Sequence, residues 1–240
     1  ITKCKSHNCM IRSNKGVHIP NLNMSFNNLT TKDKKDIKTA TKLGCNWIAL
    51  SFLQNEKLIL EARKLIKKDI GIISKIENKI ALKNIDKIIK ATDSVMVARG
   101  DLAIDIGHSE VPKVQLSLIK KCSENSKSVI VATQMLESMV NLPSPTRAEA
   151  SDVAGAVFDG ADAVMLSAET SIGNYPEEAV TYMNSIIQSS EDHIKKFPND
   201  GPSKLDIEES NYHAVAQATV DLSEKINAKL ILAYDLISIT

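Results

Sequence analysis

The chain alternates between short apolar runs and longer stretches in which apolar residues recur every three or four positions. The short runs predict strands, and because they are continuous they are typical of parallel strands buried on both faces. The longer stretches predict amphipathic helices, as Val114, Leu118 and Ile119 illustrate. The predicted strands are 46–52, 71–76, 94–98, 128–132 and 163–167, and the helices that follow them are 56–68, 80–90, 111–125, 148–159 and 176–195. A further helix, 32–42, is predicted before the first strand, with Thr31 as its cap.

Five strand–helix units in succession indicate an α/β fold with a parallel sheet and right-handed crossovers. Two architectures have this pattern, the open doubly wound sheet and the (β/α)8 TIM barrel. The glycine-rich fingerprint of a dinucleotide-binding sheet is absent from the sequence after every predicted strand. Polar residues instead follow nearly all the strands, which favours a barrel whose functional groups converge on one face. We therefore predict about five strand–helix units of a TIM barrel, and we expect the other three strands to lie upstream.

The two ends of the chain differ in pattern from the middle. Residues 1–19 alternate loosely and stop before Pro20, which predicts the end of a small β domain. Residues 20–198 are assigned to the C-terminal part of the barrel. Residues 199–240 are assigned to a linker and the start of an α/β C-terminal domain. Within that last segment a helix at 211–226 and a strand at 228–233 are predicted. Because the chain opens on an isoleucine and has no signal-peptide core, we expect it to be the interior of a longer polypeptide.

Composition narrows the class of protein. Of the 240 residues, 43% are hydrophobic and 25% are charged, which is ordinary for a globular protein. The net charge of +1 argues against a dedicated nucleic-acid or membrane surface. No apolar run reaches the roughly 18 residues that a bilayer requires. The four cysteines are dispersed, which indicates a reduced, intracellular protein. Cys4, His7 and Cys9 would offer three zinc ligands, but a fourth is missing, and we interpret them as solvated strand residues.

The most informative stretch is 71–101, where charged residues follow two buried strands. Lys75 and Glu77 are two positions apart and point the same way, and Asp101 follows the next strand. Two carboxylates without His or Cys suit Mg²⁺ or Mn²⁺ better than Zn²⁺. Lys75 remains as a point charge for a phosphate. Gly100 lets the backbone approach a ligand closely, and the amides after Asp101 could hold its oxygens.

The same residues have a purely structural interpretation. Lys75 with Glu77, and Arg99 with Asp101, could form two ion pairs on the rim of the barrel. The other polar residues that follow strands carry weaker expectations: Ser51 could satisfy rim backbone, Gln134 could bond within its loop, and Ser167 and Glu169 could brace their neighbours.

Five segments at or beside the predicted strand ends form a distinctive series: 73–78 (ISKIEN), 96–102 (MVARGDL), 132–139 (ATQMLESM), 145–149 (PTRAE) and 159–170 (DGADAVMLSAET). In this order they resemble the pyruvate kinase family, and the resemblance covers about residues 15–195. The sequence of the last segment is more similar to that of bacterial and plastid members of the family than to that of animal members. The resemblance implies transfer of the phosphoryl group of phosphoenolpyruvate to ADP, which gives pyruvate and ATP.

Roles for individual residues follow from the same resemblance. Glu77 and Asp101 would hold the divalent metal, and Lys75 would stabilise charge on the phosphoryl group and the enolate. The backbone of Gly100 and Asp101 would bind substrate together with Thr133, which would also lie near the proton source. Arg99 is expected to brace this site and is grouped with Lys75 and Thr133 as catalytic.

The resemblance also implies features that lie outside this segment. The ligands of K⁺, the second cation of the family, are expected upstream. A homotetramer is the expected assembly, and the cytoplasm, or alternatively a plastid, is the expected compartment. The isolated segment is expected to be inactive. Two other functions stay open: a magnesium-dependent lyase in a related barrel, and a non-catalytic paralogue, for which Ala103 in place of the family's usual glycine is a minor argument.

Overall fold

The computed structural model describes residues 28–67 and 69–196, together with 215, 216, 218–223, 225, 226, 228, 230 and 231. The chain divides into two compact units, one that ends at His193 and one that begins at Ile194. The small β domain expected at the start of the chain, including Cys4, His7 and Cys9, lies outside the described residues, as does the linker. The domain boundaries therefore stay predictions.

The first unit is built on a five-stranded parallel sheet whose strands neighbour one another in chain order. The strands are β1 Trp47–Leu50, β2 Gly71–Ile76, β3 Ser94–Ala98, β4 Ser128–Ala132 and β5 Ala163–Met165. A doubly wound sheet reverses its strand order at a switch point, whereas this order proceeds in one direction. The sheet is that of a partial TIM barrel, as predicted.

One helix precedes the first strand, and helices follow each strand. They are α1 Thr31–Lys42, α2 Glu56–Arg63, α3 Lys79–Lys83, α4 Ile85–Ala91, α5 Arg99–Ile106, α6 Val111–Glu124, α7 Arg147–Phe158, α8 Ala168–Ser171 and α9 Pro176–Lys196. Two 3-10 turns, His108–Glu110 and Glu137–Val140, complete the connections. The helices pack against one face of the sheet, where Ile76, Val97 and Val131 lie in register and are fully buried. Complete burial of such a side chain contributes about 1.5–3 kcal/mol to folding.

The prediction of strands buried on both faces is correct only for β3. The second face of the sheet carries Lys75, Met96 and Ile130 in register, and Lys75 and Ile130 on it are only half-buried. The described residues do not cover this face, which in a closed barrel is the interior. β1 and β5 each pair on one side only within the described chain, and both are shorter than predicted.

Three helix predictions need correction. The helix predicted at 80–90 is interrupted at Asn84, whose side-chain amide donates to the carbonyl oxygens of Gln54 and Ile80 instead of continuing a regular turn. The cap of α1 is Thr30 rather than Thr31, and it forms a reciprocal capping box with Asp33. The helix predicted at 56–68 ends at Arg63.

Two helices, α5 and the four-residue α8, were not predicted at all. α5 begins at Arg99, immediately after β3, and ends before Gly107, which has a φ of 91°. Its eight residues contain few apolar positions at helical spacing, so periodicity does not reveal it. This helix carries Arg99, Gly100 and Asp101, and its N-terminus therefore fixes where those groups lie.

In the second unit, the described residues between 215 and 225 are helical, in agreement with the helix predicted there. Ala228, Leu230 and Ile231 do not form a strand, and the other residues of the predicted strand are not described. Across the described parts of both units, no helix combines the length and apolar character needed to cross a membrane.

Candidate active site

At the carboxyl end of the sheet, side chains join the end of β1 to that of β2 and the end of β3 to that of β4. Lys75 Nζ donates to Ser51 Oγ over 2.9 Å, and the amide of Gly100 donates to Thr133 Oγ1 over 2.8 Å. The backbone amide of Phe52 donates to Glu77 Oε2. Parallel strands bring their carboxyl ends to one edge, and these hydrogen bonds connect neighbouring strand ends in two pairs along that edge.

Glu77 is a buried carboxylate with one oxygen left incompletely satisfied. Its Oε1 lies 2.6 Å from Lys75 Nζ, so the two side chains form an ion pair. The same oxygen is fully enclosed and receives no hydrogen bond of acceptable geometry from the described residues. Both statements hold, because charge attraction has no preferred direction and a hydrogen bond does. Oε1 therefore retains lone pairs that a cation could use.

Asp101 lies in the first turn of α5 and is exposed. It forms no hydrogen bond or ion pair with the residues that the structure describes. A carboxylate in a first helical turn is stabilised by the helix dipole, which gives Asp101 a structural role even without a ligand. The two-ion-pair interpretation of the rim is thus half right: Lys75 pairs with Glu77, whereas Arg99 pairs elsewhere.

Carboxylate oxygens are the donors that Mg²⁺ and Mn²⁺ prefer, and Mg²⁺ commonly uses only one or two protein carboxylates. Glu77, one of whose buried oxygens receives no hydrogen bond from the described residues, and Asp101, which has no partner among them, fit such a cation. Within the described chain no group of three or more His, Cys, Asp or Glu side chains is placed to hold a metal. The donor set therefore fits a cation that completes its coordination with water and substrate oxygens, and it does not fit a structural zinc ion.

Arg99 is buried, with 7% of its surface exposed. Its Nε and Nη2 donate to the carbonyl oxygen of Thr133 over 3.2 and 2.7 Å, and Nη2 also donates to the carbonyl of Gln134 over 3.2 Å. Its Nη1 forms an ion pair with Asp152 Oδ1 at 2.7 Å. The guanidinium thus lies behind the strand ends and fixes the backbone of Thr133 and Gln134.

The backbone that Arg99 holds is strained. Thr133 has a φ of 70° and Gln134 a φ of 53°. Left-handed conformations cost a non-glycine residue about 1–2 kcal/mol, and for a β-branched residue such as threonine they are genuine outliers. No sequence signal marks this turn, because neither position is a glycine. Strain of this kind persists where the surroundings enforce it, and it concentrates at functional sites.

The turn also fixes the Thr133 hydroxyl. Since Oγ1 accepts the Gly100 amide, its proton and second lone pair remain available to a ligand. A Cβ added to Gly100 would lie 3.4 Å from the same oxygen, which is ordinary contact. The prediction that Gly100 permits close approach of a ligand is untested, and what the structure shows is that this glycine faces Thr133.

Glu169 and Glu149 brace the loops beside the site. Glu169 is fully buried and accepts the amides of Leu136 and Ser167 over 3.1 and 2.7 Å. Glu149 accepts from the amide and hydroxyl of Ser138 and caps α7 together with Thr146. Burial alone would raise the pKa of Glu149, but these hydrogen bonds outweigh it and hold the pKa below its usual value.

Sequence reasoning missed Asp152 and Gln115, which contact Arg99 from α7 and α6. An arginine directly after a buried strand signals that a counter-charge is needed. The choice of Asp152 depends on helix packing. Of the two described cysteines, Cys122 is inert: burial, aided by the charge of Asp162, raises the pKa of its thiol to about 12.

Comparison with known proteins gives a consistent result. A family model described as "Pyruvate kinase, barrel domain" matches residues 1–180. Proteins named pyruvate kinase are 47% identical in Agrobacterium vitis, over 93% of this chain and 46% of that protein, and 43% identical in Thermotoga maritima, over 92% and 47%. One from Bacillus licheniformis is 50% identical over 76% of this chain and 32% of its own length. The chain thus spans about half the length, or less, of the curated relatives that it matches.

Proposed function

The chain belongs to the pyruvate kinase family, and on that basis we propose that the protein transfers the phosphoryl group of phosphoenolpyruvate to ADP, with pyruvate and ATP as products. The observation that carries this proposal is the Lys75–Glu77 pair, in which a buried carboxylate has an unsatisfied oxygen beside an ammonium group at the carboxyl end of the sheet. The comparisons lend no support to a metal-dependent lyase or to a non-catalytic paralogue.

Phosphoryl transfer requires mainly positioning and charge stabilisation. Lys75 projects from the second face of the sheet, and its ammonium, 24% exposed as a side chain, can reach a phosphoryl oxygen while Glu77 holds it in place. The amide of Gly100 in the first turn of α5 is occupied by Thr133 Oγ1, so the amides beside it are the ones left to hold the carboxylate or phosphate oxygens of the substrate. Ser51 keeps the lysine directed along the strand ends.

Glu77 and Asp101 would hold Mg²⁺ or Mn²⁺, and when bound this cation would neutralise charge on the phosphoryl and carboxylate oxygens of the substrate. The unsatisfied Glu77 Oε1 supports this assignment. The K⁺ that the family generally requires is proposed to bind residues upstream of this segment.

The second half of the reaction protonates the enolate of pyruvate. The Thr133 hydroxyl is the candidate group, because its oxygen already accepts the Gly100 amide and its proton is free to be donated. A threonine hydroxyl is too weak an acid to supply the proton without a relay, and we assign the relay to water.

The remaining expectations concern the whole protein. We propose that strands from additional polypeptide complete the barrel, that the enzyme assembles as a homotetramer, and that it acts in the cytoplasm or a plastid. Because five strands cannot close a barrel, the 240-residue segment alone is expected to show no turnover.

The test is an assay of the full natural protein with phosphoenolpyruvate, ADP, Mg²⁺ and K⁺, beside two matched variants. Lys75→Met removes the ammonium at the strand end, and Lys79→Met removes an exposed one four positions later. We expect wild-type turnover, a loss of at least about a hundredfold in kcat for Lys75→Met, and no loss for Lys79→Met. Absence of wild-type turnover would contradict the function, and an active Lys75→Met would contradict the role of the lysine.

A further inference from the structure

A polar network lies behind the strained turn at Thr133 and Gln134. Arg99 contacts the carbonyl oxygens of both residues, and its Nη1 is held on the other side by Asp152 Oδ1 at 2.7 Å and Gln115 Oε1 at 3.4 Å. α5, α6, α7 and the turn after β4 thus meet at one guanidinium. None of these contacts is needed for strand pairing, since the hydrogen-bonded ladders between β3, β4 and β5 form without them.

The network fixes the orientation of each group. Gln115 is buried and donates its amide to Asp159 Oδ2 over 3.1 Å, so its oxygen must face Arg99. A flipped amide would turn its NH₂ group towards a guanidinium that cannot accept a hydrogen bond. Asp152 supplies the only ion pair that Arg99 makes with the described residues. Its charge compensates a guanidinium that is almost entirely out of water.

We propose that Asp152 and Gln115 are positioning residues of the active site, which act through Arg99 to hold Thr133 in its left-handed conformation. Arg99 fixes the carbonyl of Thr133 while the neighbouring amide of Gly100 fixes its hydroxyl. One short segment therefore determines both the backbone and the side chain of the residue that faces substrate. Without the counter-charge, the guanidinium turns towards water and releases the two carbonyls, and the strain in the turn then favours relaxation.

The consequence is specific to one residue. If Asp152 acts only by placing the Thr133 hydroxyl, its removal lowers kcat by about tenfold to a hundredfold when that hydroxyl is present. Once Thr133→Ala has removed the hydroxyl, the same change has almost nothing left to disturb. A contribution to general stability would instead lower activity equally in both backgrounds, because independent effects add.

The experiment, which rests on the proposed function, compares Asp152→Ala and the milder Asp152→Asn in wild-type and Thr133→Ala backgrounds of the full natural protein. Asp86→Asn is the matched control, because it breaks a surface ion pair with Lys121. We expect kcat to fall most for Asp152→Ala, less for Asp152→Asn, and not for Asp86→Asn, with less than about a twofold further change in the Thr133→Ala background. Equal losses in both backgrounds, or no loss, would overturn the proposal.

A second readout does not depend on turnover. A crystal structure of Asp152→Asn, or of Asp152→Ala if it folds, should show Thr133 away from its φ of 70°. A Thr133 that keeps this conformation would overturn the proposal whatever the activity. Absence of wild-type turnover together with a relaxed Thr133 would contradict the proposed function and leave the positioning network supported, so the two failures are distinguishable.

Discussion

The two ends of the sheet use carboxylates in opposite ways. At the amino end, Asp93 and Asp162 each precede a strand, and each accepts the amide of a residue at the start of the neighbouring strand, Ile72 or Val129. Their own amides donate to the carbonyl oxygens of the same two residues. At the carboxyl end, Glu77 has an unsatisfied oxygen and Asp101 has no partner among the described residues.

Backbone geometry shows the same contrast. Three of the four described non-glycine residues with positive φ lie just beyond the carboxyl ends of β1 and β4: Phe52, Thr133 and Gln134. Among the described non-glycine residues at the amino end, only Ser126 has such a φ, and it precedes β4 in a turn. The amino end is thus a set of closed hydrogen-bonded pairs. The carboxyl end keeps backbone strain and, at Asp101, a charge without a partner among the described residues, and both are features of a site that is completed by a ligand.

The largest effect is expected from Glu77→Gln. The amide oxygen of glutamine can still accept the Phe52 amide, so the fold should survive, but the charge that would bind the cation is lost. We expect kcat to fall by about a hundredfold to a thousandfold, with little change in the unfolding temperature, as measured by steady-state kinetics and calorimetry. A lower unfolding temperature with an unchanged kcat would erase the distinction between the two ends.

Asp93→Asn is expected to have a smaller effect, and to lower the stability of the fold rather than the turnover. Burial alone would raise the pKa of Asp93, but hydrogen bonds from Arg63 and the Ile72 amide outweigh it and keep the pKa below its usual value of 3.8. A lowered carboxyl pKa stabilises the fold above about pH 4, and this contribution disappears as the pH falls through the folded-state pKa. Asparagine does not titrate, but its amide oxygen can still accept the Ile72 amide, and the side chain of Asp93 is 39% exposed. The variant should therefore lose about 0.5–1 kcal/mol near neutral pH and show a flatter pH dependence in acid.

Denaturant titrations between about pH 2 and 7 measure this difference. The kcat of Asp93→Asn should stay within about twofold of wild type, because the side chain lies at the end of the sheet opposite the proposed site. A variant that keeps its stability and loses turnover would show that the amino end takes part in catalysis.

Much of the fold could be predicted from the sequence, and the failures have physical causes. The bounds of β2, β3 and β4 were correct because these strands are central and their apolar runs reflect burial. β1 and β5 were predicted too long, since a strand with one neighbour loses regular pairing near its ends. α5 was missed because its start is fixed by Arg99 contacts rather than by an apolar stripe.

The site was predicted unevenly for a similar reason. Residue type and spacing marked Lys75, Glu77 and Asp101 as candidates, and the family resemblance assigned their roles, which stay predictions. Spacing could not indicate that Arg99 pairs with Asp152, which is 53 positions away, because that contact exists only after α5 and α7 have packed. The strain at Thr133 was equally invisible, since it is imposed by its surroundings.

The most direct test of the difference between the two ends is a titration of the full natural protein with Mn²⁺, followed by electron paramagnetic resonance of the free ion. Glu77→Gln and Asp93→Asn each remove one negative charge, at the carboxyl and the amino end respectively. We predict that Glu77→Gln weakens Mn²⁺ binding by at least about tenfold, or 1.4 kcal/mol, and that Asp93→Asn leaves it unchanged. Equal affinities in wild type and Glu77→Gln would contradict the account.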